Sequence, residues 1–268
     1  MPLILAHGMP KSGSTFLAQV AIWAAAYGNG FGPSEFKKKF LGVGDTARNF
    51  VVEPTDDLID DIERQLPEGK FHVLKTHGKI TPKIRSRIRD RSIVAFTSFR
   101  DPRDCVLSFM DAGERDRASG GSQAFTDVTT IKTALKRVKF SWETAREWAG
   151  CDGVLTIPYY LTVTDKNHCV ELICHHIGLG ETTRSVQKMF KQEGLVRNSQ
   201  YNKGIADRFL TDLPPKRIKR MTLRLEKEIR EIDELTKNRM TELGYRLIHK
   251  SMHARRERIL AGMTDSVT

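Results

Sequence analysis

Residues 3 to 17 read LILAHGMPKSGSTFL, and the order of features in that stretch decides the fold. Leu3 to Ala6 is a short apolar run of the kind that forms a buried strand. Gly8 and Gly13 then frame a tight loop, and Thr15 to Tyr27 carries a helical pattern closed by Gly28. A strand that turns through such a loop into a helix aims backbone N–H groups and the helix N-terminus at one point, where a phosphate or sulfate can sit. The plain alternative is a Gly/Ser turn that only joins a strand to a helix.

The same alternation continues outward from that stretch. Apolar, β-rich runs recur at Phe71 to Leu74, Ser92 to Phe99 and Gly153 to Ile157, each followed by a turn and a helical pattern. Helices are predicted over Asp56 to Leu66, Pro82 to Arg89, Arg103 to Met110, Val128 to Trp148 and Asp165 to Ile177. Strands alternating with helices predict an α/β protein, a P-loop-like three-layer fold whose central, mainly parallel sheet is flanked by helices. From Thr182 onward no strand signal remains, and Pro214 to Leu243 reads as one long charged helix entered through Pro214-Pro215, so the C-terminal third is expected to be helical. The expected division is one domain over residues 1–245 and a basic helical extension over 246–268. Gly28 to Gly44, with Lys37-Lys38-Lys39, and Ala112 to Gln123, with Gly113, Gly120 and Gly121, are expected to be open loops, either lids and substrate walls or plain connections.

Composition narrows the function classes. The 268 residues are 39% hydrophobic and 29% charged, which excludes a disordered or collagen-like chain. Lys+Arg 44 against Asp+Glu 33 leaves a net charge of +11, which favours an anionic partner: nucleic acid, a membrane surface or a polyphosphate-type small molecule. No apolar run is long enough to span a bilayer, and no basic segment precedes an apolar one at the N-terminus, so a cytoplasmic protein without a membrane partner is expected. Cys105, Cys151, Cys169 and Cys174 show neither a Cys-x-x-Cys pair nor metal-ligand spacing and read as buried thiols. No nucleic-acid module is recognisable; the alternative is a nucleic-acid-binding protein that uses the charge and the Arg255-Arg256-Glu-Arg258 tail.

Three motifs carry chemistry. The run from Gly8 to Thr15 has the glycine spacing of G-x-x-x-x-G-K-[ST], but Ser14 stands where that pattern needs lysine, and Lys11 lies inside the loop instead. A nucleoside triphosphatase needs that lysine on the β- and γ-phosphates, so ATP or GTP hydrolysis is disfavoured and a nucleoside or small-molecule kinase remains as the alternative. At the end of the run Ser92 to Phe99 stands Arg100-Asp-Pro-Arg-Asp-Cys-Val-Leu-Ser108, in which a guanidinium at a strand's carboxyl end and a hydroxyl on the next helix suit a phosphate. The other reading of this segment is a set of ion pairs among Asp101, Arg103 and Asp104 at a helix start. Val73-Leu-Lys-Thr-His77 ends another strand, and a neutral histidine there suits a general base.

Together the motifs resemble the sulfotransferases that use 3′-phosphoadenosine 5′-phosphosulfate (PAPS), the cytosolic type most nearly. Pro10-Lys-Ser-Gly-Ser-Thr-Phe-Leu17 resembles their 5′-phosphosulfate loop, Arg100 with Ser108 their grip on the 3′-phosphate, and Lys75-Thr-His77 their Lys-Thr-His segment. Val154 to Tyr160 is similar to the strand that ends in a tyrosine near the adenine, which points to Tyr159, with Tyr160 as competitor. Tyr201-Asn-Lys-Gly204 resembles the Arg-Lys-Gly loop over the 3′-phosphate, although Asn202 stands in place of the arginine, which Arg197 is positioned in sequence to replace, and the usual tryptophan is missing. The likeness runs from residue 3 to Leu243-Gly-Tyr245.

The resemblance implies in-line transfer of SO₃ from PAPS, with adenosine 3′,5′-bisphosphate (PAP) as product and no metal. It implies that Lys11 and the N–H groups of Gly13, Ser14 and Thr15 stabilise the leaving phosphate, that Lys75 binds the donor sulfate or the transferring group and that His77 is the base. Pro10, Ser12, Phe16, Arg100, Ser108, Tyr159, Asn202, Lys203 and Gly204 complete the implied nucleotide site, with a core role for Phe16 equally open. The acceptor is expected to be a small molecule with a hydroxyl or amine; its identity and the oligomeric state are not legible in the sequence.

Overall fold

The computed structural model of the chain describes residues 3–30, 50–120, 124–193 and 204–265. Two compact units emerge, one of Met1–Phe99 with Glu143–Asn202, the other of Arg100–Trp142 with Lys203–Thr268.

The first unit is built on a five-stranded sheet of order β2-β3-β1-β4-β5, with β1 Leu3–His7, β2 Phe50–Val51, β3 His72–Thr76, β4 Ile93–Phe99 and β5 Val154–Pro158, every adjacent pair parallel. All of β1 is buried. Leu3 and Leu5 join Leu74, Ile93 and Ala95 in one core with Ile59 and Ile62 of α2 (Asp56–Gln65), Ile84 and Ile88 of α3 (Pro82–Arg89), and Trp148. Alternation turns Ile4 and Ala6 to the opposite face, where α1 (Ser14–Asn29) packs on β1 and β3. With both faces covered, the strands must be apolar throughout, which is why they read as unbroken runs.

Several predicted boundaries move. β3 runs to Thr76, so Lys75 stands in the strand, and the two-residue β2 had no sequence signal. The closing glycine of α1 is Gly30 at φ 72, not Gly28. Gly28 stays inside the helix because a Cβ there would lie 2.6 Å from Cδ2 of Leu179. After β5 come α6 (Tyr159–Thr164), α7 (Lys166–His176), which Asp165 caps by accepting from the N–H of His168, and α8 (Thr183–Glu193). The long helix predicted from Val128 is α5, Ile131–Ala149.

In the second unit, α4 (Pro102–Ala118) runs well past Met110, so residues 112–118, expected as loop, are helical. Gly113 belongs inside that helix, because a Cβ would press on the carbonyl oxygens of Phe125 and Val128. The expected single helix from Pro214 to Leu243 is two, α10 (Pro215–Arg224) and α11 (Glu226–Glu242), after the short α9 (Phe209–Asp212). The break falls at the fully buried Leu225, and it lets each helix turn its own apolar residues inward, Ile218 and Met221 on one, Ile232 and Met240 on the other. The last helix is α12, Arg246–Asp265. All four cysteines are buried free thiols. Among the described residues no helix is long and apolar enough to cross a membrane.

Candidate active site

The loop from Gly8 to Gly13 is shaped by bonds within it and to the end of β4. The N–H of Met9 donates to the carbonyl of Ser98 at 2.8 Å, and the hydroxyl of Ser12 donates to the Met9 carbonyl at 2.5 Å while lying 2.7 Å from Oγ of Ser98. Ser12 also commits its backbone N–H to the Met9 carbonyl at 3.1 Å, so this predicted ligand residue works on the loop's own shape. Lys11 and Gly13 take left-handed backbone, φ 72 and 82. Gly13 brings no side chain to cap α1, which leaves the first-turn N–H groups to whatever occupies the loop. The buried ring of Tyr159 lies against Gly13, where a Cβ would come 3.0 Å from Cδ2. Phe16 is buried on α1 against Phe190, with ring centroids 5.3 Å apart.

Lys75 and His77 reach this loop from β3. Nζ of Lys75 donates to Oγ1 of Thr15 at 2.9 Å, and among the described residues no carboxylate pairs with it. Burial lowers its pKa to about 8, so the ammonium is still mostly charged at neutral pH. Nδ1 of His77 lies 2.6 Å from the carbonyl oxygen of Gly8. A carbonyl can only accept, so Nδ1 carries the proton and the neutral ring keeps its lone pair on Nε2. Burial, helped by the charges of Lys75 and Lys11 and opposed by the bond to Gly8, lowers the His77 pKa to about 4. The ring is therefore neutral at physiological pH and held in one orientation.

Residues outside the motifs complete the setting. His7, buried at the end of β1, stacks on Trp148 with centroids 4.8 Å apart and places Nδ1 2.7 Å from Oγ1 of Thr97. Trp148 donates Nε1–H to the carbonyl of Gly78 at 2.9 Å. The stacked pair thus braces both neighbours of the catalytic candidate, since Gly8 follows His7 and Gly78 follows His77. Phe50 of β2, 47% exposed, meets the His77 ring edge-on at 5.4 Å and lies 5.5 Å from Nζ of Lys75. A tryptophan seventy residues from its partner glycine, or a phenylalanine in a two-residue strand, carries no pattern that periodicity can detect.

The first unit therefore gathers Lys11, Thr15, Lys75, His77 and Tyr159 about one loop. Arg100 and Ser108 belong to the second unit, both buried. Nη2 of Arg100 donates to Oδ2 of Asp104 at 3.1 Å and to the carbonyl of Ile205 at 2.6 Å. Arg103 holds Asp101 at 2.7 Å, so the ion pairs offered as the other reading of this segment do exist, but buried. Burial works to raise the Asp101 carboxyl, and the Arg103 and Arg256 guanidiniums outweigh it and hold it well below the usual range. Gly204 has φ 67, whereas Arg197, Asn202 and Lys203, like residues 31–44 and 121–123 of the expected loops, lie outside the described residues.

No family model and no curated protein matches the sequence. Among solved structures, retinol dehydratase in a complex with retinol and PAP matches with a TM-score of 0.53 and 15% identity, over 84% of this chain and 80% of that one. The chain shares the fold of that structure. Mouse sulfotransferase SULT7A1 complexed with PAP matches at 0.43 and 15% identity, over 93% and 88% of the two chains. Retinol dehydratase with androsterone and PAP matches at 0.43 and 14%, over 89% and 80%. At such identities the likeness is one of fold, the all-parallel sheet covered by helices.

Proposed function

We propose that this protein transfers a sulfuryl group from PAPS to a hydroxyl or amine of a small-molecule acceptor. One observation carries the reading: a half-buried ammonium with no carboxylate partner among the described residues, Lys75, and a neutral, oriented imidazole, His77, are both bonded to the loop after β1, through Thr15 and the Gly8 carbonyl. An anion in the loop would pair with the Lys75 ammonium. The residues fit a phosphosulfate in another respect, because the uncapped first turn of α1 offers N–H donors.

PAPS, when bound, supplies a sulfuryl group on a phosphate leaving group. In this reading Nε2 of His77 takes the acceptor's proton as the acceptor's oxygen or nitrogen bonds to sulfur, and the bond from sulfur to the bridging oxygen of the 5′-phosphate breaks. Lys11 and the N–H groups of Gly13, Ser14 and Thr15 stabilise the charge that grows on that oxygen, while Lys75 holds the sulfuryl oxygens. Pro10 and Ser12 keep the loop's shape, and Tyr159 beside Gly13 and Phe16 on α1 are assigned to the adenine side. Arg100, Ser108 and the segment at Asn202, Lys203 and Gly204 are assigned to the 3′-phosphate.

The test pairs binding with turnover. PAP is expected to raise the melting temperature, and ATP with Mg²⁺ to raise it far less. Labelled sulfate from PAPS is expected to appear on a member of a panel of hydroxyl and amine acceptors. A shift with ATP equal to or larger than that with PAP would put a small-molecule kinase in first place.

A further inference from the structure

Arg256 belongs to the basic C-terminal segment, yet its guanidinium is drawn in among three carboxylates of the second unit. Nη2 lies 2.6 Å from Oδ1 of Asp207 and 3.4 Å from Oδ2 of Asp101, and Nη1 lies 3.1 Å from Oδ1 of Asp233 on α11. It also faces the ring of Phe209 at 5.8 Å, the ring on which Arg103 stacks at 3.9 Å. Among the described residues, Asp207 and Asp233 have no other cation within ion-pair distance. Burial opposes the charge on Arg256, and the carboxylates outweigh it and push the pKa up. A rigid planar fork can bridge several carboxylates at once, which a single ammonium cannot.

Two of the carboxylates that Arg256 joins, Asp101 and Asp207, lie in the chain segments that hold Arg100. Asp207 is a non-glycine residue at φ 58, a left-handed conformation that needs support from its surroundings. On one side of it, Ile205 presents the carbonyl that accepts from Nη2 of Arg100; on the other, the N–H of Phe209 donates at 3.1 Å to Asp104, the carboxylate that pairs with Arg100. Asp101 follows Arg100 directly and accepts the N–H of Arg103 at the start of α4 at 2.8 Å. Both chain segments that frame the Arg100 guanidinium are thus tied to α12 through one side chain.

We infer that Arg256 is a positioning residue for Arg100: through Asp207 and Asp101, the C-terminal helix sets the geometry in which Arg100 meets the 3′-phosphate of the donor nucleotide. The inference rests on the function proposed above for its ligand, though not for the clamp itself. The full-length wild type, Arg256→Met and Arg256→Lys are titrated calorimetrically with PAP and with adenosine 5′-monophosphate, which lacks the 3′-phosphate, and amide hydrogen exchange is followed over residues 205–209 without nucleotide. Arg256→Met is expected to weaken PAP by about 10-fold or more, the loss of roughly one charge-assisted bond. It should leave the monophosphate within about 2-fold and speed exchange at 205–209. Arg256→Lys is expected to recover part of the PAP loss. Should Arg256→Met fail to fold, Asp207→Asn cuts the same link while leaving Arg256 paired with Asp101 and Asp233, and the same selective loss is expected. Unchanged PAP affinity, or equal losses for both nucleotides, overturns the inference. If the wild type itself binds PAP no better than the monophosphate, the proposed function fails, and unchanged exchange at 205–209 in Arg256→Met then overturns the clamp as well.

Discussion

Acid should destabilise this protein through His77, by an amount its surroundings set. Its pKa falls from the ordinary 6.5 to about 4, chiefly through burial and then through Lys75. Between those values the unfolded chain binds a proton that the folded chain refuses, so stability is full above about pH 6.5 and falls as the pH drops toward 4. At 1.36 kcal/mol per unit, moving from about pH 7 to about pH 4.5 should cost roughly 2 kcal/mol from this residue. His7 and His176 are shifted the same way by burial and will add to the total, so the residue's own share is read by difference. The perturbation is His77→Asn, whose amide keeps a donor for the Gly8 carbonyl but does not titrate. Urea unfolding of both proteins at the two pH values gives the double difference, in which the other histidines cancel. Wild type should lose about 2 kcal/mol more than the variant. The same depression places the acid limb of kcat/KM near pH 4 rather than 6.5, and His77→Asn should lose transfer by a factor on the order of 10² while binding PAP almost as well. A double difference near zero would mean that His77 is solvated in the folded state and is not held as an oriented neutral base.

The loop and its brace give two further expectations. Gly8→Ala puts a Cβ 2.5 Å from both Cβ of Ser14 and Oγ of Ser98, so it should cost roughly 1–3 kcal/mol in chemical denaturation, and an unchanged midpoint would show that the loop gives way freely. Trp148→Phe keeps a ring on His7 but strips the Gly78 carbonyl of its donor, and a loss of roughly 1–3 kcal/mol is expected in the same assay, with no loss if that carbonyl finds water instead.

What was legible in the chain is what local chemistry decides. A parallel strand buried on both faces must be an apolar run, so β1, β3, β4 and β5 announced themselves, and the order of strand, glycine loop and helix was equally plain. Helix limits were less legible. Gly113 and Gly28 look like breakers in one dimension, yet each sits inside a helix because the space beside it is filled by carbonyls from 125 and 128 or by Leu179. A break at Leu225 is equally invisible, since leucine is a good helix former and only its full burial fixes the turn there.

Charge is where the tertiary structure decided most. In the sequence, Lys75 and His77 are two residues of a motif; the folded chain makes one a half-buried cation with no carboxylate partner among the described residues and gives the other its tautomer, because both depend on what the loop after β1 brings to them. Arg256 shows the same in reverse. Within Arg255-Arg256-Glu-Arg258 it reads as one more charge of a basic tail, and only the folded second unit surrounds it with Asp101, Asp207 and Asp233, drawn from segments up to 155 residues away (256 − 101). Periodicity along a chain reports which face of an element is buried; it carries no record of which distant carboxylate will stand opposite a given cation, and that pairing is what turns a surface charge into a fastener.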